Sequence, residues 1–205
     1  MAINIKETNL KDPPIAKLLL NDKRAAWFWF VLRVWLGWQW IQASLQKITN
    51  PAWVNTGAAL EGFWTRAAQV PESGQPTIAF DWYRSFIQFM LDIEAYTWFG
   101  RLVAYGEMVV GIALVLGAFT GFAAFFSGFM NWNFMLAGSA STNPVLFAVA
   151  VGLILAWKIS GRIGVDYFLL PLLGTPWQAP EGLRSKQTKI LKEKWGSSSF
   201  DMRIE

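Results

Sequence analysis

Four apolar runs, each with few charged residues, alternate with polar or glycine-rich stretches along this chain of 205 residues. Each run approaches the roughly 20 residues that an α-helix needs to cross a bilayer, although the third and fourth are somewhat short. The pattern predicts membrane-spanning helices over residues 25–44, 98–116, 122–136 and 144–159. The predicted fold class is therefore an all-α integral membrane protein, built as a bundle of four transmembrane helices.

The connection between the first two predicted spans, residues 45–97, carries two stretches with apolar residues at helical spacing. The first begins at Asn50-Pro51 and continues to Ala68. Asn is a good N-cap and Pro suits the first helical position, so this is a favourable helix start. The second runs from Ala79 to Tyr96. Neither is apolar enough to span, so we expect two amphipathic helices that cap the outer side of the bundle or lie in the interface.

Basic residues concentrate at the two ends of the chain. Residues 1–24 contain five Lys and Arg, and the part from Lys158 onward contains eight, whereas residues 48–97 contain two against five acids. By the positive-inside rule, both termini are predicted on the cytoplasmic side of the cell inner membrane. The net charge of +4 then needs no nucleic acid to explain it. A cytoplasmic N-terminal segment would precede a membrane domain over 25–170, and a basic cytoplasmic tail over 171–205 would follow it.

Composition limits the chemistry. The chain is 54% hydrophobic and 16% charged, and it contains no Cys and no His. Without Cys there is no disulfide and no iron–sulfur ligand set. Without His, a His-ligated haem is excluded and a zinc site is not expected. If the chain takes part in redox chemistry, the electron carriers are bound non-covalently or lie in another subunit.

Polar residues at similar depth in the predicted spans form the candidate site. Arg33, Glu107 and Asn131 each lie roughly eight to ten residues from the inner end of their span, or about 12–15 Å. We expect Glu107 and Arg33, the candidate catalytic residues, to pair in one layer with Asn131. Either this layer binds a small amphipathic ligand or relays protons, or it is a buried ion pair that fixes helix register. The other candidate ligand-binding residues near it are Gln39, Asn133 and Tyr105.

Three stretches resemble the DoxX/DoxD-like family of small four-helix membrane proteins. They are RVWLGWQWIQASLQKITNP, GEMVVGIALVLGAFTGFAA and GRIGVDYFL, within residues 25–170. The long outer connection with WYRSFIQFML is most similar to the DoxD branch, the large subunit of thiosulfate:quinone oxidoreductase. In that branch electrons pass from thiosulfate to a membrane quinone, and a second small subunit takes part. Carried over by position, the residues of interest are Arg33, Lys47, Glu107, Asn131 and Asp166.

The resemblance implies a membrane subunit of a quinone-linked oxidoreductase, with the thiosulfate:quinone type as the expected one. A quinone would enter between helices and bind near Glu107 or Asn131. Cationic side chains on the outer face would attract an anionic substrate such as thiosulfate; these are Lys47, Arg66 and Arg84. The alternative is a non-catalytic accessory subunit of a larger respiratory or photosynthetic complex, and a transporter or channel ranks third. Expected partners are the lipid bilayer and either other membrane or redox subunits or further copies of this chain.

Overall fold

The computed structural model describes residues 13–172, and all regular structure within them is helical. The predicted all-α fold is thus confirmed. The rest of the predicted terminal segments, residues 1–12 and 173–205, lies outside the described residues. The helices are α1 (Pro14–Asn21), α2 (Ala26–Ile48), α3 (Pro51–Val54), α4 (Ala58–Ala68), α5 (Asp81–Asp92), α6 (Tyr96–Leu116), α7 (Thr120–Leu136), α8 (Asn143–Leu155), α9 (Trp157–Ser160) and α10 (Asp166–Leu172).

Helices α2 and α6 pack side by side and run antiparallel. Glycines allow their backbones to approach closely. A Cβ atom at Gly37 would lie 2.7 Å from the backbone oxygen of Gly111, and one at Gly111 would lie 2.9 Å from that of Gly37. Further along the interface, the Ser44 hydroxyl donates a hydrogen bond of 2.7 Å to the Ala104 carbonyl. Small residues at a helix contact are the usual means of close packing in membrane proteins.

Helices α7 and α8 form a second antiparallel pair that packs on the first. A Cβ atom at Gly128 would lie 3.6 Å from that of Ala150, and the rings of Trp132 and Phe147 are 5.8 Å apart. The four long helices enclose one apolar core. Its fully or nearly fully buried members include Leu36, Trp40, Leu114, Ala124, Ala150 and Leu153.

The predicted amphipathic connection forms a cap of three helices, α3 to α5, with a small core of its own. The Asn50 side chain accepts a hydrogen bond of 3.0 Å from the Ala52 N–H, as expected for an N-cap. The helix predicted over 51–68 is broken at Gly57, whose φ is +76°. A Cβ atom there would lie 2.2 Å from the backbone oxygen of Tyr96, so the chain needs glycine at this close approach. The cap core contains Leu60, Trp64, Ile78, Tyr83, Ile87 and Met90.

Among the described helices, α6 is the one that is both long and apolar enough to cross a membrane by length and composition. Helix α8 is apolar but shorter, with 13 residues. Helix α2 has 23 residues, about 34 Å at 1.5 Å per residue, but its Trp and Gln content lowers its mean hydropathy. It continues past the predicted end of the first span at residue 44 and stops at Ile48. This extra turn carries Lys47 on the same helix as Arg33.

Candidate functional site

The Glu107 carboxylate on α6 forms an ion pair with the Lys47 ammonium on α2. Nζ of Lys47 lies 2.7 Å from Oε2 and 2.9 Å from Oε1 of Glu107, and it donates to both oxygens. Glu107 is fully buried, whereas 17% of the Lys47 side chain is exposed. A carboxylate removed from water needs a charged or hydrogen-bonding partner, and Lys47 is that partner.

Two aromatic rings complete the surroundings of the Lys47 ammonium. Its Nζ lies 5.4 Å from the ring centroid of Trp53 and 5.8 Å from that of Phe134. A cation within about 6 Å of an aromatic face is attracted by the ring quadrupole. The ammonium is therefore held by one carboxylate and two rings, which belong to α3 and α7.

The ion pair lies on the wall of a cavity of about 570 Å³ at the end of the bundle that carries the α3–α5 cap. We call this end the outer end, and the opposite end, with the turn between α6 and α7, the inner end. This volume falls within the roughly 300–1,000 Å³ of small-molecule sites. One side of the cavity is polar, with Gln39, Gln42 and Gln46 on successive turns of α2. These three amides form no hydrogen bond with the other described residues, so they are available to a ligand or to water. Arg66 on α4 also lines the cavity, is exposed, and has no ion-pair partner among residues 13–172.

Arg33 lies far from this site, and the predicted Arg33–Glu107 pair is wrong. Gly37 faces Gly111 across the antiparallel interface of α2 and α6. Arg33 is four residues inward of Gly37, and Glu107 is four residues outward of Gly111. About eight residues, or roughly 12 Å, therefore separate the two charges along the bundle. The prediction assumed that the inner ends of the spans lie at the same depth. In the structure, the inner end of α6 lies well outward of the start of α2.

Arg33 instead caps the inner end of α6. Its Nη1 donates to the Leu114 carbonyl, and its Nη2 donates to the Ile163 carbonyl at 2.6 Å. Its guanidinium also lies 5.5 Å from the ring centroid of Phe30. Carbonyls at a helix C-terminus lack partners within the helix and attract cations, so a buried arginine suits this place. The side chain joins three segments of the chain.

Asp166 caps the start of α7 on the same turn. Its two carboxylate oxygens accept hydrogen bonds from the backbone N–H groups of Phe119, at 2.6 Å, and Thr120, at 2.7 Å. Its own N–H donates to the Gly117 carbonyl at 2.7 Å. A carboxylate at a helix N-terminus is stabilised both by these bonds and by the helix dipole. The inner pair of charges, Arg33 and Asp166, thus holds the turn between α6 and α7 and does not line the cavity.

Asn131 on α7 is fully buried, and neither atom of its side-chain amide has a hydrogen-bond partner among the described residues. It belongs to the same end of the bundle as Glu107. The indole N–H of Trp40 donates to the Ser127 hydroxyl at 2.6 Å. This bond fixes the position of α7 along the bundle axis relative to α2. Asn131 lies one turn outward of Ser127. The predicted shared layer of Glu107 and Asn131 is therefore consistent with the register, without Arg33.

The remaining candidate residues lie outside the cavity. The Asn133 amide donates to the Phe129 carbonyl at 2.8 Å, and its Oδ1 lies 3.2 Å from the Tyr83 hydroxyl, which donates to it. Burial raises the pKa of Tyr83 to about 12, so this hydroxyl stays protonated as a donor. Tyr105 is 52% exposed on the face of α6 that points away from the bundle core. Arg84 pairs with Asp81 on α5.

Sequence reasoning missed that Lys47 is the partner of Glu107. The available signal was the helix end indicated by Thr49-Asn50-Pro51, because it lets the first helix continue to Ile48. The added turn places the long Lys47 side chain within reach of the carboxylate. No comparable signal pointed to Trp53 and Phe134, because their position depends on how the cap folds over the bundle. Within residues 13–172 no group of three or more His, Cys, Asp or Glu side chains could hold a metal ion.

The fold and the buried charges define an all-helical bundle with one polar site at each end. A family model described as DoxX matches residues 28–140, more than half of the chain. The chain belongs to the DoxX family of membrane proteins, which often occur in redox-related contexts. The match includes Arg33, Lys47, Glu107 and Asn131. No curated protein and no solved structure matches the chain.

Proposed function

We propose that this chain is a membrane subunit of a quinone-linked oxidoreductase and that the outer cavity binds the quinone headgroup. The observation that carries this proposal is the Lys47–Glu107 pair, which lines a cavity of ligand size. A charge pair that served packing alone would gain nothing from an adjoining cavity. Intramembrane ionisable residues that face a cavity are, by default, functional candidates.

The donor set of the cavity fits a quinone headgroup. Amide N–H groups of Gln39 and Gln42 can donate to carbonyl oxygens, and the rings of Trp53 and Phe63 offer flat apolar surface. A bound quinone supplies the capacity to take up two electrons and two protons. Glu107 holds or transfers a proton at its carboxylate, and Lys47 stabilises the ionised form of that carboxylate. In this proposal Arg33 has no direct contact with the ligand.

The electron donor follows from the resemblance to the DoxD branch. Two thiosulfate ions joined into tetrathionate release two electrons, which matches the demand of one quinone. Arg66 is the cation that supports an anion position at the cavity, because it lines the cavity and has no ion-pair partner among the described residues. In this arrangement the cavity faces the outer side, four helices span the inner membrane, and both termini are cytoplasmic.

Quinone binding can be tested on the full chain purified in a mild detergent. Co-purifying quinone is extracted and measured, and the protein is then titrated with decylubiquinone while its thermal midpoint is followed. We expect about one quinone per chain, and we expect Glu107→Gln to weaken the binding of decylubiquinone at least tenfold. The matched control is Glu72→Gln, which removes the same charge from an exposed position in the outer connection. Equal binding by wild type and Glu107→Gln would remove Glu107 from the site.

Thiosulfate is tested separately, by thiosulfate-dependent reduction of decylubiquinone in membranes that contain the full chain. We expect Arg66→Gln to raise the KM for thiosulfate, with Arg24→Gln, an exposed residue at the inner end, as the control. Quinone binding without thiosulfate oxidation would retain the quinone site and reject this donor. Absence of quinone together with co-purifying large redox subunits would favour the accessory subunit instead.

A further inference from the structure

The buried amide of Asn131 is an unpartnered polar group near the outer cavity. The side chain is fully buried, and neither Nδ2 nor Oδ1 has a hydrogen-bond partner among residues 13–172. A buried amide without partners is costly, and nearly all such groups in native proteins bind protein, water or ligand. Nε of Arg33 and the hydroxyl of Thr120 also lack a partner among the described residues, but both lie at the inner end of the bundle and do not line the cavity.

Asn131 lies directly behind the wall of the outer cavity. On α7 it is one turn inward of Phe134, which lines the cavity. Because Gly128 faces Ala150 across the antiparallel pair, Asn131 is level with about residue 147 of α8, next to Leu146. Leu146 and Trp40 also line the cavity and are buried. The register therefore places the unpartnered amide within about one helical turn of three side chains that line a space of ligand size.

One side chain of this wall has no hydrogen bond to fix its orientation. The indole of Trp40 is tethered by its hydrogen bond to Ser127. Phe134 has no polar atom to anchor it and is only half-buried; its ring centroid lies 6.3 Å from that of Trp40 and 5.8 Å from the Lys47 ammonium. A rotamer change of Phe134 is thus the short route by which the cavity reaches Asn131.

We infer that Asn131 is a binding residue for the inner oxygen of the ligand, reached when the Phe134 ring turns aside. This inference rests on the proposed quinone function and assigns a specific class of ligand group to the amide. Reduction of a quinone by two electrons and two protons changes each carbonyl, an acceptor, into a hydroxyl, which is also a donor. An amide carries both a donor and an acceptor, so Asn131 bonds either form.

The test compares the stability of the free protein with its affinity for decylubiquinone. We expect Asn131→Leu, of similar size, to weaken binding about tenfold while the thermal midpoint of the ligand-free protein does not fall. Replacing an unpartnered amide by an apolar group is neutral or stabilising, whereas replacing a partnered one is not. Asn133→Leu is the matched comparison for stability, because that amide has partners and its loss should lower the midpoint.

Four outcomes decide the inference. A weaker affinity with an unchanged or raised midpoint supports it. An unchanged affinity overturns it and leaves the quinone function intact, and absence of quinone binding by the wild type overturns both. If the midpoint and the affinity both fall, Asn131→Thr, which keeps a donor and an acceptor, must restore the affinity to within about threefold of wild type; failure to do so overturns the inference.

Discussion

Removal of the Lys47 ammonium is expected to destabilise the protein strongly, because it leaves Glu107 buried without a partner. Lys47→Met keeps most of the side-chain volume and removes only the charge. Both hydrogen bonds to the carboxylate, at 2.7 and 2.9 Å, are then lost. The reverse change, Glu107→Met, is milder, since the lysine stem lets its ammonium reach the water of the cavity.

The magnitudes follow from burial. Breaking a fully buried ion pair from one side costs about 3–5 kcal/mol. Glu107 is 0% exposed and Lys47 is 17% exposed, so the lower end of that range applies, about 3 kcal/mol for Lys47→Met. We expect about 1 kcal/mol for Glu107→Met, where the remaining ammonium stays solvated at the cavity and keeps its two aromatic contacts. The double variant, with two apolar residues of similar size, is expected to lie near wild type, because apolar replacement of a buried pair is often neutral.

The assay is reversible unfolding of the purified protein in mixed detergent micelles, which gives the free energy of unfolding for all four members of the cycle. The control is Arg24→Met, which breaks the exposed ion pair with Asp22 and is expected to change the free energy of unfolding little. If Lys47→Met and Glu107→Met are equally mild and their effects add, the two side chains do not form a buried pair. A second arm uses Lys47→Ala: a small primary alkylammonium ion that enters through the cavity should restore part of the lost stability.

Other expected outcomes concern the inner end of the bundle, and each is read as a change in the free energy of unfolding. Gly117→Ala should cost more than 2 kcal/mol, since φ is +69° and a Cβ atom would meet the Arg33 guanidinium. Gly106→Ala is the comparison, because a Cβ atom at this position on α6 meets open space, and it should be neutral or stabilising by up to about 1 kcal/mol. Equal effects of the two would refute the close contact. Arg33→Lys should cost about 1–3 kcal/mol, because an ammonium cannot bond both carbonyls in the same fork geometry. Asp166→Ala should cost about 2 kcal/mol through loss of the cap on α7, and a change below about 0.5 kcal/mol would contradict that role.

The sequence was sufficient for the parts of the fold that depend on local pattern. Apolar periodicity predicted helices wherever the structure has its long ones, and the Asn50 cap was predicted from residue type alone. The break at Gly57 was missed. It arises because the backbone of Tyr96 passes too close for a side chain there, and that contact joins segments far apart in the chain.

The partner of Glu107 could not be predicted from depth counting. Such counting needs the helices to begin at one level, and their offset is set by the glycine contact between Gly37 and Gly111. Because of this offset, Arg33 lies at the inner turn and Lys47 lies beside the Glu107 carboxylate. The sequence had predicted Lys47 as part of an anion site on the outer face. An intramembrane carboxylate does predict that a cation must be near; which cation is decided by packing.

The two charged ends of the bundle differ in a way that separates structure from function. At the inner end, Arg33 and Asp166 bond to backbone groups, although Nε of Arg33 has no partner among the described residues, and neither side chain lines the outer cavity. At the outer end the charges neutralise each other at the wall of a cavity, and the amide of Asn131 behind that wall has no partner among the described residues. A buried polar group without a partner lowers stability, and at the outer end a ligand in the adjoining cavity can supply the missing bonds. The cavity beside this incomplete bonding is therefore what supports the proposed ligand site in this member of the DoxX family.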